Sequence, residues 1–433
     1  MNKEQTSMYF YYLMIRIAAY FGHRKARQIT EGQRGTKVRE GRLTVNGLIV
    51  ARGAVWIHAA SVGEFEQARP IIERLRREQP NQRIVVSFFS PSGYEMRKDY
   101  DLADVVFYLP LGTRRTIRRF LEALQPKMAL FIKYEFWPSY LKELKRLGIP
   151  TYSICSIFRE KQVFFRWWGK PMLRVLHCFT HLCVQDEESR ALLEHFGVTK
   201  VSIVGDTRFD RMKTVSENQS AMSDKRLAPI EQFIAGSERV IVAGSTWATD
   251  AALLAQYTER LNDRDEQVKM IIVPHEITEE QLHAIFKSFK GRFMRYSTIG
   301  SEGMANIARE EHLLQHVQVL VVDTMGLLSS IYRLGCVAYI GGGFGAGIHN
   351  TIEAASYGMP VVFGPNYHQF REAERLIAVG AARSINNAEE LDAAFTTALD
   401  QHGTIGANAA QYVQSELGAT DRIWNTIFGN HKS

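Results

Sequence analysis

The sequence predicts an α/β protein made of two doubly wound, Rossmann-like parallel-sheet halves, and three observations carry that expectation. From Ala54 onward, short apolar runs alternate with helical patterns, which implies a parallel sheet covered on both faces. After Asp210 the alternation pauses in a polar stretch, Val215 to Ile230, and then restarts. Cys336 to Pro365 reads as strand, glycine-rich loop, capped helix and second strand, a unit suited to anion binding.

Taken in order, Met8 to Gly22 is apolar and aromatic except for Arg16, and Arg24, Lys25 and Arg27 follow. A spanning helix needs roughly twenty apolar residues, and this run is shorter. It fits a helix lying in the headgroup layer of an anionic leaflet, or a core helix of the first domain. Strands are expected at Val55–Ala59, Arg83–Phe89, Val105–Leu109, Met128–Tyr134, Thr151–Ile157, His181–Val184 and Val201–Val204. Helices are expected at Phe65–Arg77, Arg114–Leu124, Tyr140–Leu147, Phe164–Leu176 and Glu187–Phe196. The second half supplies strands at Val240–Ala243, Met270–Val273, Val317–Val322, Val337–Ile340 and Val361–Phe363. In folds of this class, ligands bind outside the carboxyl ends of the strands.

Composition narrows the classes. The 433 residues are 45% hydrophobic and 23% charged, enough for two cored domains. The four cysteines stand in apolar runs without CxxC pairing and read as reduced core residues of a cytosolic protein. Residues 1–53 hold ten Lys/Arg and three Glu, which accounts for the whole net charge of +7. Basicity is therefore local, and no nucleic-acid partner is expected.

Chemistry-bearing residues fall at strand ends. Ser61-Val62-Gly63-Glu64 is a capping box, or it places the Glu64 carboxylate where it can take a proton. Glu135 pairs with Lys133, caps the helix that Pro138 opens, or serves the site. Ser156, Arg159, Arg208 and Asp210 also follow strands. In the second half, Ser245 and Thr246 offer phosphate contacts, Pro274-His275 ends a strand, and Asp323-Thr324-Met325-Gly326 ends another. Asn350 caps a helix from Thr351 to Tyr357, on which Glu353 could accept hydrogen bonds from a ribose diol. No metal-ligand spacing surrounds His275, and GxxxxGK[ST], GxSxG and HExxH are absent from the sequence.

Six motifs occur in a telling order: HAASVGE (His58–Glu64), YLPL (Tyr108–Leu111), EFWP (Glu135–Pro138), GDTRFD (Gly205–Asp210), DTMG (Asp323–Gly326) and HNTIEAASYGMPVVFGP (His349–Pro365). Together they resemble the 3-deoxy-D-manno-octulosonic acid (Kdo) transferases of lipopolysaccharide synthesis, from the N-terminal segment to about Gly380. The resemblance implies a GT-B fold of two Rossmann-like domains facing a cleft, attached to the cytoplasmic face of the inner membrane. It implies inverting, metal-independent transfer of Kdo from CMP-Kdo, with no other cofactor, to the 6′-hydroxyl of a lipid A precursor. By that resemblance Glu64 is the general base and Glu135 is also required. CMP would be held by Pro274 and His275, by Met325, Gly326 and Leu327, and by Asn350, Thr351, Ile352 and Glu353. Lys133, Arg159 and Arg208 are candidates for the Kdo carboxylate.

Three departures stand out: Pro274-His275-Glu276 for Pro-Arg-His, Leu327 for a carboxylate, and Trp247 for a histidine. The expected divisions are a membrane-associating segment (1–36), an acceptor domain (37–214), a linker (215–232) and a donor domain (233–433). The last helix could pack back on the first domain. A UDP-sugar transferase or epimerase of the same fold, and a non-catalytic membrane scaffold, are the alternatives.

Overall fold

A computed structural model describes residues 13–15, 17–39, 41–50, 52–221, 224–263, 267–289, 293–299 and 317–429. The start of the expected membrane-associating stretch, residues 1–12, lies outside them. The chain divides into two compact units, Met1–Arg211 with Leu417–Ser433, and Met212–Glu416.

In the first unit, helical residues 13–15 and 17–20 precede the helix Arg24–Gln33 and a small antiparallel sheet, β1 (Thr36–Arg39), β2 (Arg42–Val45) and β3 (Leu48–Ile49). Its main sheet uses β4 (Val55–Ala59), β5 (Ile84–Phe88), β6 (Val105–Tyr108), β7 (Met128–Ile132), β8 (Thr151–Ser156), β9 (His181–Val184) and β10 (Val201–Ile203). All seven run parallel in the order β10-β9-β8-β7-β4-β5-β6. β4, β5, β7 and β8 are buried at every position, as strands covered on both faces must be. The order reverses between β4 and β7, and that switch point is where such sheets bind ligands.

The second unit repeats the design. Its strands are β11 (Val240–Thr246), β12 (Lys269–Pro274), β13 (Met294–Arg295), β14 (Val319–Val321), β15 (Val337–Ile340), β16 (Val361–Phe363) and β17 (Ala382–Ser384). They are parallel in the order β13-β14-β12-β11-β15-β16-β17, with the switch point between β11 and β15.

Three expectations need correction. The stretch 215–232 is largely helical: Thr207–Ala221 is one helix, and a turn at Lys225–Leu227 leads into Ala228–Ile234. No Gly or Pro interrupts residues 212–221, so the helix begun at Thr207 runs on despite its polarity. The second unit stops at Glu416 rather than 433. The helix Ala419–Phe428 packs back on the first unit, as the sequence reading allowed, and places Ile423, Trp424, Ile427 and Phe428 in the same core as Phe65 and Leu75. Arg74 lies 4.7 Å over the Trp424 ring and pairs with Asp421, and Asp210 accepts from the N–H groups of Gly418 and Thr420 at 2.7 Å each.

The expected helix Phe164–Leu176 is broken. A single turn, Val163–Phe165, is followed by a tight loop, and the helix begins only at Lys170. Gly169 makes the loop possible: a Cβ there would lie 1.6 Å from the Val163 carbonyl oxygen.

Candidate functional site

In the first unit the switch point between β4 and β7 collects the two carboxylates. Ser61 caps the helix Val62–Glu78 by accepting from Glu64 N at 3.4 Å. The Glu64 carboxylate reaches back to Ala60 N at 2.5 Å, one residue before the amide that a regular capping box would use. The capping and catalytic readings of Glu64 therefore describe one arrangement. Burial, and then the neighbouring Glu135 charge, push the Glu64 carboxyl up from 4.5 to about 7, although the Ala60 N–H, His58 and Lys133 pull the other way. A carboxylate with that value sits where a general base works best near neutral pH.

Glu135 does not cap the following helix. Trp137 is the N-cap of the helix Pro138–Arg146 and makes no side-chain cap. The Glu135 Oε2 accepts from His58 Nε2 at 2.9 Å and from Trp137 Nε1 at 2.5 Å. Two donors converging on one oxygen suit an ionised carboxylate. Behind it, His58 Nδ1 lies 2.9 Å from the Ser87 hydroxyl and 3.1 Å from the Ser87 carbonyl oxygen, and the Trp56 indole N–H donates to that hydroxyl at 2.8 Å. His58 is fully buried in the middle of β4. Its role escaped the sequence reading, and its signal was a polar residue inside a strand with every neighbour buried.

Lys133 turns the chain out of β7 at φ +59°, a conformation costing a non-glycine residue about 1–2 kcal/mol. Ser156 Oγ holds its carbonyl at 2.7 Å, and its ammonium lies 5.5 Å from the Tyr134 ring centroid. Arg208 is committed to the buried Asp206, through Nε at 2.9 Å and Nη2 at 2.7 Å. Arg159 is exposed after β8.

The second unit has its own constellation between β11 and β15. Ser245 adopts φ +55°, and Gly341 packs so closely that a Cβ would lie 2.3 Å from the Ser245 carbonyl oxygen. Gly342 has φ +90°, and a Cβ on Gly343 would meet Gly364 backbone at 2.6 Å. Asp250, absent from the sequence-based candidates, ties the two loops together: it accepts from Trp247 N at 2.8 Å, Gly342 N at 3.0 Å and Tyr339 OH at 2.8 Å. Burial raises its pKa, opposed by these three donors. The Thr246 and Thr351 hydroxyls are fully buried and meet no hydrogen-bond partner among the described residues.

Two of the departures meet here. The Trp247 indole donates to His349 Nε2 at 3.2 Å, and its ring centroid lies 4.9 Å from that of His275. The His275 and His349 rings stack at 4.0 Å. Burial, and then His275, push His349 down to about 4, and burial lowers His275 against the pull of Glu276. The stack is therefore neutral at pH 7. Pro274 ends β12, and His275 N donates to Thr246 O at 3.0 Å.

Asn350 caps the short helix Thr351–Ala355, its side chain accepting from Ile352 N at 3.2 Å. That helix ends two residues earlier than expected, and Tyr357 and Gly358 form the turn that follows. Ile352 is fully buried, and Glu353 accepts from the Ser329 hydroxyl. Met325 is exposed and Gly326 takes φ +79°, whereas the Leu327 side chain is fully buried and offers a ligand only its backbone.

Residues 22–211 match the family model described as 3-Deoxy-D-manno-octulosonic-acid transferase (kdotransferase). A 3-deoxy-D-manno-octulosonic acid transferase of Aquifex aeolicus is 26% identical over 345 residues, covering 78% of this chain and 84% of its own. The transferase of that name from Haemophilus influenzae is 25% identical over 387 residues, covering 86% of each chain. Among solved structures, a UDP-GlcNAc 2-epimerase from Neisseria meningitidis aligns over 87% of this chain and 100% of its own, at TM-score 0.61 and 15% identity. Acinetobacter baumannii MurG aligns over 87% and 99%, at TM-score 0.52 and 14% identity. These two likenesses speak for the fold alone, the GT-B architecture of two Rossmann-like halves.

Proposed function

We propose that this chain, whose residues 22–211 match the Kdo transferase family model, is a Kdo transferase that moves Kdo from CMP-Kdo to the 6′-hydroxyl of a lipid A precursor with inversion and without a metal. The observation that carries the reading is the Glu64 carboxyl, pushed up to about 7 at the switch point of the first sheet. Above that value Glu64 is ionised and takes the proton of the acceptor hydroxyl. The freed oxygen bonds the anomeric carbon from the face opposite the phosphate. The C–O bond to phosphate breaks, and CMP departs with the electron pair.

Glu135 is a positioning residue in this account. Held by His58 and Trp137, it keeps a fixed negative charge beside Glu64 and so keeps the base strong. Lys133 is the favoured partner for the Kdo carboxylate. Its cation already acts on Glu64, whereas Arg208 is spent on Asp206. The departing phosphate would be met at the glycine-rich loop after β15 and by the Ser245 hydroxyl, the Gly341 and Gly342 amides being already bonded to Gly244 O and Asp250. The neutral Trp247–His275–His349 stack stands beside that loop and offers a flat surface rather than a fixed cation.

Attachment to the cytoplasmic face of the inner membrane completes the proposal. Tyr20 and Phe21 are exposed directly before Arg24, Lys25 and Arg27, which are exposed as well. The attachment would be peripheral or monotopic; among the described residues no helix is long and apolar enough to cross a membrane.

The test is Kdo transfer from CMP-Kdo to a tetraacylated lipid A precursor by the purified chain, beside Glu64→Gln and Glu64→Ala. Transfer by the wild type that falls at least about a hundredfold in both folded variants supports function and base together. No transfer by the wild type, with UDP bound in preference to CMP, would move the assignment to a UDP-sugar enzyme of the same fold.

A further inference from the structure

The loop between β8 and the helix Lys170–Leu176 carries four consecutive-pair aromatics that part company. Phe164 and Phe165 turn inward: the Phe164 ring centroid lies 5.0 Å from Phe136 and 5.9 Å from Phe158, and that of Phe165 lies 4.9 Å from Phe196. Trp167 and Trp168 turn outward, 87% and 57% exposed. Large aromatics at that exposure are unusual on a soluble surface and mark contact sites. Around them Lys161, Arg166, Lys170 and Arg174 are all exposed. Between residues 159 and 174 five side chains are basic and only Glu160 is acidic.

The loop is built rather than loose. Gly169 N donates to Arg166 O at 2.7 Å, Arg166 Nε donates to Lys161 O at 3.4 Å, and the Val163 carbonyl fills the space a Cβ on Gly169 would need. The backbone thus fixes both indoles outside while the two phenylalanines anchor it inside.

We propose that Trp167 and Trp168, ringed by these cations, seat in the headgroup layer of an anionic lipid bilayer. Indoles prefer that layer because the ring is apolar and the N–H is not, and basic side chains beside them meet the lipid phosphates. The placement serves the site already described. The loop leaves the carboxyl end of β8, the strand next to β7, and Phe164 packs on Phe136, the residue after Glu135. A bilayer gripped there meets the first unit on the sheet edge that carries Glu64 and Glu135. The inference draws its purpose from the lipid-acceptor reading but is tested without donor or acceptor, so either can fail alone.

The experiment uses the full chain with vesicles of phosphatidylethanolamine and phosphatidylglycerol, with or without bromine on the acyl chains. Bromine quenches only indoles that reach it, so the readout is local even if the N-terminal segment also binds. Brominated vesicles are expected to quench the wild type, and Trp167→Ala/Trp168→Ala to abolish the quenching while its far-ultraviolet circular dichroism and melting stay unchanged. Arg166→Gln/Lys170→Gln is expected to weaken vesicle binding about fivefold per charge removed. Equal quenching in wild type and double-tryptophan variant would overturn the proposal. So would a wild-type dimer that the double-tryptophan variant dissolves without any vesicle quenching, because the patch would then belong to a second copy of the chain.

Discussion

Replacing Glu64 by glutamine separates the two jobs of its carboxylate, because the amide oxygen can still accept from Ala60 N while the charge is gone. Burial and Glu135 hold the folded-state pKa near 7 against an ordinary 4.5. At about 1.4 kcal/mol per pH unit, the ionised form is disfavoured by about 3 kcal/mol. Glu64 keeps partial contact with solvent, so a discounted figure of about 2 kcal/mol is the one to expect. The folded pKa lies above the unfolded one, so the cost is absent below about pH 4.5, grows between 4.5 and 7, and is full above 7. Glu64→Gln should therefore leave stability unchanged at pH 4.5 and raise it by about 2 kcal/mol at pH 8. That is a melting shift of several degrees for a unit of this size. Kdo transfer should fall at least about a hundredfold in the same variant, and wild-type transfer should fall about tenfold per pH unit below about 7. Thermal melts at the two pH values, beside the transfer assay, test both halves. An unchanged melting temperature at pH 8 would refute the burial argument, and transfer within tenfold of wild type would refute the role of Glu64 as base.

Three further outcomes follow from the geometry. Glu135→Gln removes the second-largest cause of the raised Glu64 value, so the acid limb of the pH–rate profile should move down, but only part of the way to 4.5, because burial remains. Gly341→Ala forces a Cβ toward the Ser245 carbonyl and should cost about 1–3 kcal/mol and weaken CMP binding, read by denaturation and calorimetry. Trp424→Ala opens a void in the first unit's core and should cost about 3–5 kcal/mol in chemical denaturation while leaving CMP affinity unchanged.

Much of the fold was legible because parallel strands buried on both faces read as unbroken apolar runs, as β4, β5, β7 and β8 do. The small sheet β1–β3 was not, because its strands of four, four and two residues are too short for a pattern to emerge. Residues 163–176 misled for the opposite reason: apolar residues crowd the segment, and the break at Gly169 depends on a contact with Val163 that spacing does not reveal. Glu64 and Glu135 stood out as candidates by their positions at strand ends, and the structure brings their carboxylates close enough to interact. Whether Glu64 only caps its helix was undecidable locally, since its raised pKa comes from burial and from a residue in another strand's turn. His58 and Asp250 were overlooked because their importance lies in what they join, β4 to the turn after β7 and the β11 loop to the β15 loop.

The last helix has a consequence for how the protein comes off the ribosome. The first unit needs Ile423, Trp424, Ile427 and Phe428 to close its core, yet residues 212–416, the whole second unit, are translated before them. At roughly 5–20 residues per second, about 10–40 s pass between the emergence of Arg211 and that of the closing helix. Throughout that interval the apolar patch around Phe65 and Leu75 stands open on a nascent chain, a surface for chaperones and a hazard for crowded polysomes.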